Sequence, residues 1–170
     1  MDQRLLEAIR KNDRQAFMSL VNENEEILQQ RTANTFHTPL HLASRFGHIE
    51  LVTEIIKLCP DMVAADNSKL ETPLHEACRQ GNVKVLPLLL DASPWAACKL
   101  NSDNQRTFYM ACSHGHLNVV KLLLGKPWVQ GLEEDSFLQI AFMLLFQEDI
   151  QVGSKVLFTN FSLLSILPIN

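Results

Sequence analysis

The sequence carries little net charge. Its 170 residues include 15 lysines and arginines against 19 aspartates and glutamates, which gives a net charge of −4. Binding to nucleic acid through the overall field of a protein requires a strongly basic chain or patch. Since no basic run interleaved with aromatic residues occurs either, we expect no nucleic-acid partner.

Glycine is scarce, and the six glycines are scattered, so no glycine-rich loop of the kind that cradles phosphate is present. His114 and His116 lie near Cys112, but no second cysteine pair completes the spacing of a zinc site; a metal at these histidines stays a minor alternative. The acidic run 133–135 is more typical of a solvated turn than of an acid/base pair. We expect no catalytic residue, no metal and no cofactor.

No apolar run is long enough to span a bilayer. Val156–Ile169 is apolar for about 14 residues but contains Asn160 and Pro168, whereas a spanning helix needs about 20 residues. The opening residues Met1–Arg4 lead into a charged amphipathic stretch, so no secretory signal is expected.

What the sequence does contain is a repeat of 34 residues. Thr38–Ala43 (TPLHLA) is matched by Thr72–Ala77 (TPLHEA) and, less closely, by Arg106–Ala111 (RTFYMA). In each copy a glycine follows the alanine by four residues, at Gly47, Gly81 and Gly115. A unit this short cannot bury a core alone, so the copies must stack into an elongated surface.

Each copy predicts two helices. Thr38 and Thr72 are suitable N-caps, the prolines after them suit the first helical position, and the glycines end the first helix. Helical periodicity predicts second helices over Ile49–Leu58, Val83–Leu90 and Leu117–Leu124. Because Pro87 lies five residues into the middle one, we expect a slight bend there.

An earlier copy has lost the Thr-Pro signature. Ala8 lies 35 residues before Ala43, and Asn12 falls where Gly47 falls. Asparagine also tolerates the left-handed conformation that ends a helix. Helices are therefore predicted over Leu5–Lys11 and Gln15–Val21, as a unit that caps the stack.

The cysteines and tryptophans are placed as packing residues would be. Cys78 and Cys112 follow the alanine of successive copies, which favours free core cysteines in a reducing compartment, with metal or redox use as the alternative. Trp95 and Trp128 follow prolines at equivalent positions, and we expect them to pack between repeats.

The motif T-P-L-H-x-A, with its glycine and its period of 34, resembles the ankyrin repeat. The resemblance implies an all-α ankyrin-repeat α-solenoid of helix-turn-helix units with projecting finger loops. The units are expected at about 1–35, 36–69, 70–103 and 104–130, with a degenerate fifth repeat and an apolar C-terminal tail in 131–170. The residues given a structural role are Thr38, His41, Gly47, Thr72, His75, Gly81 and Gly115.

The proline step after each second helix (Pro60, Pro94 and Pro127) departs from the usual ankyrin pattern. It is similar to the plant ankyrin membrane proteins of the accelerated-cell-death type, in which ankyrin repeats precede several membrane helices. This narrower resemblance implies a role in plant defence or stress signalling.

The ankyrin family recognises its partners with the two positions before each stop glycine and with the fingers. The resemblance therefore implies partner-binding residues Arg10, Lys11, Arg45, Phe46, Arg79, Gln80, Ser113 and His114 on the inner helices, and Asn67, Ser68, Lys69, Asp103 and Asn104 on the fingers. Four of the first six are cationic, so we expect an acidic segment of a partner, with Phe46 as an apolar anchor. The alternative is that these cations are ordinary solvated residues.

The sequence thus predicts a non-catalytic, cytoplasmic protein-interaction module of undetermined oligomeric state. The alternative is a shortened membrane-associated ankyrin protein whose repeats regulate a membrane segment at its cytoplasmic face. Reversing the charges of Arg45 and Arg79 is expected to abolish partner capture without lowering the melting temperature.

Overall fold

The computed structural model describes residues 1–126, in which all regular structure is helical. The α-helices are α1 (Gln3–Arg10), α2 (Arg14–Glu23), α3 (Pro39–Phe46), α4 (Ile49–Leu58), α5 (Pro73–Gln80), α6 (Leu86–Ala92), α7 (Thr107–Ser113) and α8 (Leu117–Leu124). Three short 3₁₀ helices follow α2, α4 and α6, at Glu25–Gln29, Pro60–Ala64 and Pro94–Cys98. The prediction of an all-α solenoid is confirmed.

The helices form four hairpins, α1–α2, α3–α4, α5–α6 and α7–α8, and the first helices of the hairpins stack side by side in chain order. We call α1, α3, α5 and α7 the inner helices. One apolar core runs through all four hairpins, from Leu5 in α1 to Leu123 in α8. Because each hairpin buries its apolar face only against its neighbours, the fold extends along one axis.

The ends of the inner helices follow from the repeated motif. Thr38 caps α3 with Pro39 at the first position, and Gly47 ends the helix at a φ of 73°. A side chain at that φ would be strained, which is why glycine suits the position. In the first hairpin Asn12 adopts a φ of 55° and ends α1 in the same way.

One predicted second helix begins later than expected. The bounds of α4 and α8 agree with the prediction, but α6 starts at Leu86 rather than Val83. Pro87 therefore lies in the first turn of the helix, where the missing N–H removes no helical bond. The predicted bend at Pro87 was wrong, since the proline sets where the helix begins.

The cysteines differ in their burial. Cys78 and Cys112 lie in the core, and burial raises the pKa of the Cys112 thiol to about 12, so it stays protonated and unreactive. Cys59 is partly buried and Cys98 exposed, and all four thiols are free.

The prediction that Trp95 packs between repeats was wrong. Its side chain is 80 % exposed, because the 3₁₀ helix at 94–98 buries Ala96 and Ala97 instead. Trp128, the predicted fifth repeat and the predicted apolar tail lie outside the described residues.

Asn82 joins the second and third repeats. Its Nδ2 donates to the carbonyls of Ser44 (2.9 Å) and Arg45 (2.7 Å) in the last turn of α3. We expect Asn82→Ala to lower the free energy of unfolding by about 1 kcal/mol, measured by urea denaturation, because these contacts are lost. Asn118→Ala, at an exposed position of α8, should change it by less than about 0.5 kcal/mol; equal effects would contradict the proposed link.

Candidate docking surface on the inner helices and fingers

The C-terminal ends of the inner helices carry the predicted partner-binding residues, at equivalent positions in successive repeats. Arg10 is the last residue of α1, and Arg45 and Arg79 are the last but one of α3 and α5. Arg45 and Arg79 are partly buried. The other six inner-helix positions of the predicted surface are exposed, namely Arg10, Lys11, Phe46, Gln80, Ser113 and His114.

The fingers are the loops that lead from each 3₁₀ helix to the next inner helix. Asn67 Oδ1 accepts from the backbone N–H groups of Lys69 (2.8 Å) and Glu71 (3.0 Å). Asn101 organises the next finger in the same way. Asn67 is therefore a buried turn residue, only 6 % exposed, and the prediction that it lies at an exposed fingertip was wrong.

Ser68, Lys69, Asp103 and Asn104 are exposed on the fingers, as their predicted role requires. Backbone hydrogen bonds hold neighbouring fingers together. Ser68 N donates to Thr35 O (3.0 Å), and one repeat later Ser102 N donates to Lys69 O (2.8 Å). The fingers thus form a row whose register is set by the backbone.

A buried carboxylate lies between the second and third repeats. The Glu76 side chain is 1 % exposed. Arg45 donates to it from Nε (2.9 Å) and Nη2 (3.1 Å), and Arg79 Nη1 donates to Oε1 (2.8 Å). His37 Nε2 lies 3.1 Å from Oε1. These contacts satisfy a charge that would be very costly to bury alone.

A second carboxylate shares the same arginine. Glu71 bonds to Arg79 Nη2 and to Asn67 Nδ2 (3.1 Å), and its side chain is 3 % exposed. We call His37, Glu71, Glu76 and the two arginines the charge cluster. It joins the finger before α5, and α5 itself, to the end of α3.

The pKa values of the cluster carboxyls report this pairing. Burial alone would raise the pKa of Glu76, but the bonds from His37 and Arg45 and the charges of both arginines hold it far below its usual range. Burial would also raise the pKa of Glu71, but the hydrogen bonds from Arg79 and Asn67 and the charge of Arg79 lower it. Both groups are ionised at neutral pH, so the two arginines are neutralised by two carboxylates.

The structure therefore changes the expected electrostatics of the inner surface. Arg45 and Arg79 are each paired with buried carboxylates, and Lys11 Nζ lies 3.0 Å from Glu7. The four cations that the sequence places at these positions are therefore largely balanced by acids of the same chain. The sequence did carry a signal for this, because Glu76 replaces the apolar Leu42 of the preceding repeat at a core position.

The motif histidines are buried within the repeats. Thr38 Oγ1 lies 2.8 Å from His41 Nδ1, and His41 Nε2 lies 2.8 Å from the carbonyl of Glu71 in the next repeat. Thr72 and His75 make the same contact at 2.9 Å. Burial lowers the pKa of His41 to about 4, against the opposing effect of its bond to Glu71. The ring is thus neutral at pH 7.

Two exposed apolar residues lie at the fingertips, and neither is among the site residues predicted from the sequence. Phe36 has a φ of 53° and is 51 % exposed, and Leu70 has a φ of 57° and is 54 % exposed. This backbone conformation costs a bulky residue about 1–2 kcal/mol. We call these two residues the fingertip pair. Their 34-residue spacing, shared with Asn104 (φ 58°), was a signal in the sequence.

The architecture defines a stacked helix-hairpin solenoid. The family described as Ankyrin repeats (3 copies) matches residues 5–96 and, again, 60–131. Since these matches cover well over half of the sequence, the chain belongs to the ankyrin-repeat family. Proteins built on this fold act as protein-interaction modules, and that is the class of this chain. No curated protein sequence matches.

A solved structure has the same fold. A chain of the crystal structure of the yeast ribosomal protein Rps3 in complex with its chaperone Yar1 is similar, with a TM-score of 0.62 and 23 % identity, over 72 % of this chain and 92 % of that chain.

Within residues 1–126, no helix is long and apolar enough to cross a membrane, and no group of three metal-ligating side chains comes together.

Proposed function

We propose that the chain is a non-catalytic adaptor or scaffold that docks a partner protein along the ends of the inner helices and the fingers. The observation that carries the proposal is the row of exposed side chains at the C-terminal ends of the stacked inner helices, among them Arg10, Phe46 and His114. Stacking aligns such residues into one strip, which suits an extended partner better than a small molecule.

The proposed partner segment is acidic, and two exposed cations support this part of the proposal. Arg10 is exposed at the end of α1, and Lys69 is exposed on a finger. These side chains, rather than the paired arginines of the charge cluster, would meet the carboxylates of the partner. Since such contacts are solvent-exposed, raising NaCl from 50 to 500 mM should weaken capture of the partner.

Capture from a lysate tests the proposal. The full chain is compared with an inner-face variant (Arg10→Glu, Phe46→Ser and His114→Glu) and with an outer-helix variant (Lys57→Glu and Lys121→Glu), all changed at exposed positions. We expect proteins enriched by the parent chain, identified by mass spectrometry, to be lost with the inner-face variant and kept with the outer-helix variant. Melting temperatures of all three should agree within about 2 °C, since exposed substitutions change stability little.

Enrichment that survives the inner-face changes, or is lost with the outer-helix changes, would overturn the proposed docking surface.

The resemblance to plant accelerated-cell-death-type proteins suggests defence or stress signalling in the cytoplasm as the setting. The membrane-associated alternative depends on residues 127–170, outside the described part of the chain.

A further inference from the structure

The turn of each finger requires a left-handed residue at its tip. In the second finger Leu70 N donates to Asn67 O (3.1 Å), and Asn67 N donates to Glu71 O (2.9 Å). A three-residue loop closed in this way ends in a residue with positive φ, a position that favours glycine or asparagine. The third finger has Asn104 there, as stability alone would select.

The first two fingers instead place large apolar residues at this position. In the first finger Phe36 N donates to Thr32 O (3.1 Å), and Thr32 N donates to His37 O (3.0 Å), which closes a loop one residue longer that also ends in a left-handed residue. Half or more of each side chain of the fingertip pair is exposed, so burial in the core does not account for the choice. A strained conformation that packing does not explain is typical of a residue kept for function.

The backbone presents the two tips together. The hydrogen bond from Ser68 N to Thr35 O joins the first finger to the second directly beside Phe36. Since the fingers are held in register, the pair forms two apolar contacts a fixed distance apart. Because the two tips are already held in place, binding a partner with two matching side chains costs this surface little further conformational entropy.

The charges beside the pair identify the chemistry of the partner. Lys69, next to Leu70, and Arg31, which donates to the carbonyls of Phe36 and Asp66, are exposed cations. The nearby carboxylate of Asp66 is paired with Lys99 Nζ at 2.6 Å. The fixed charge beside the pair on its own two fingers is thus positive, with the exposed acid Asp103 on the next finger, and a positive charge complements carboxylates.

We propose that Phe36 and Leu70 are the anchor residues for a polypeptide segment of a partner that presents two apolar side chains next to aspartate or glutamate. This inference rests on the proposed function and specifies its recognition chemistry. The left-handed backbone at the two tips is the stability cost of presenting these anchors.

A displayed library of random twelve-residue peptides, panned on the full chain, tests the proposal. We expect the enriched peptides to share paired aliphatic or aromatic residues flanked by acids. These peptides should bind Phe36→Asn/Leu70→Asn at least tenfold more weakly, by fluorescence anisotropy. They should bind Leu58→Asn, a matched change of a residue 44 % exposed at the end of α4, as tightly as the parent chain.

The fingertip variant should melt at or above the melting temperature of the parent chain, because asparagine relieves the strain. Lower stability or unchanged peptide affinity would overturn the fingertip assignment, as would enrichment of basic peptides. If the peptides lose affinity only for the inner-face variant, the proposed function stands and this inference fails. If no peptide is enriched, this inference fails, and the proposed function is decided by the lysate capture.

Discussion

Reversing the charges of Arg45 and Arg79 together should lower the free energy of unfolding by at least about 5 kcal/mol, because breaking one buried ion pair by removing a partner costs about 3–5 kcal/mol. The double change would leave two buried carboxylates, on Glu71 and Glu76, facing two further negative charges. Domains of this size have about 5–15 kcal/mol of stability in total, so much of the variant should be unfolded at 37 °C. Thermal and urea unfolding followed by circular dichroism measure the loss.

Two further variants isolate the cause. Arg10→Glu/Lys11→Glu reverses two exposed charges of the same strip and should cost no more than about 1 kcal/mol. Glu76→Leu, which installs the residue of the preceding repeat, should recover part of the stability lost in Arg79→Ala, since the buried anion is then absent. A double reversal that melts like the parent chain would refute the role of the charge cluster.

This prediction corrects an expectation drawn from the sequence. Reversal of Arg45 and Arg79 was expected to remove partner capture and leave the melting temperature unchanged. Because both arginines are ion-pair partners of buried acids, a loss of capture in that variant would result from unfolding rather than from a lost docking contact. Tests of the inner surface must therefore use the exposed residues.

Acidification from pH 7 to pH 5 should lower the free energy of unfolding by about 2 kcal/mol through His41 alone. The pKa of His41 is about 4 in the folded protein, compared with 6.5 for an unperturbed histidine. Below pH 6.5 the unfolded chain therefore takes up a proton that the folded protein does not, and each pH unit costs about 1.4 kcal/mol. The pKa of His75 is also lowered, chiefly by burial, so it adds to the loss.

The carboxyls continue the trend at lower pH. Since the pKa values of Glu71 and Glu76 are lowered, the stability they contribute is present above their unfolded value near 4.5 and is lost as the pH falls below it. Urea denaturation at pH 7.5, 6.0 and 5.0 measures the first part of the decline. His41→Gln should remove about one proton from the pH dependence of the free energy of unfolding. A flat profile between pH 7.5 and 5.0 would contradict the assignment.

Much of the fold could be predicted because its signals are local. A threonine cap, a proline at the first position and a glycine stop act within one helix, so the inner helices α3 and α5 followed from the motif. The bounds of α4 and α8 followed from apolar periodicity. The start of α6 did not, since the periodicity extends past Pro87 in both directions and only the proline decides where the helix begins.

The candidate site was predictable by position but not by environment. The repeat placed Arg10, Phe46 and Lys69 on the surface, where the structure also has them. Asn67 was assigned to the partner-binding surface by the ankyrin resemblance, yet its side chain closes its own turn. Phe36 and Leu70 were overlooked because exposure and φ are not visible in residue identity.

By itself, the sequence determined that this chain is a stack of short helical hairpins, since a 34-residue repeat with caps and stops encodes each unit and leaves its apolar face to its neighbours. Only the tertiary structure decided what the charges do. Arg45 and Glu76 are 31 residues apart in the chain, and the stacking of two repeats brings them into contact inside the protein. Coulomb interactions depend on that distance and on burial rather than on the order of residues, so pairing could be read only from the folded chain.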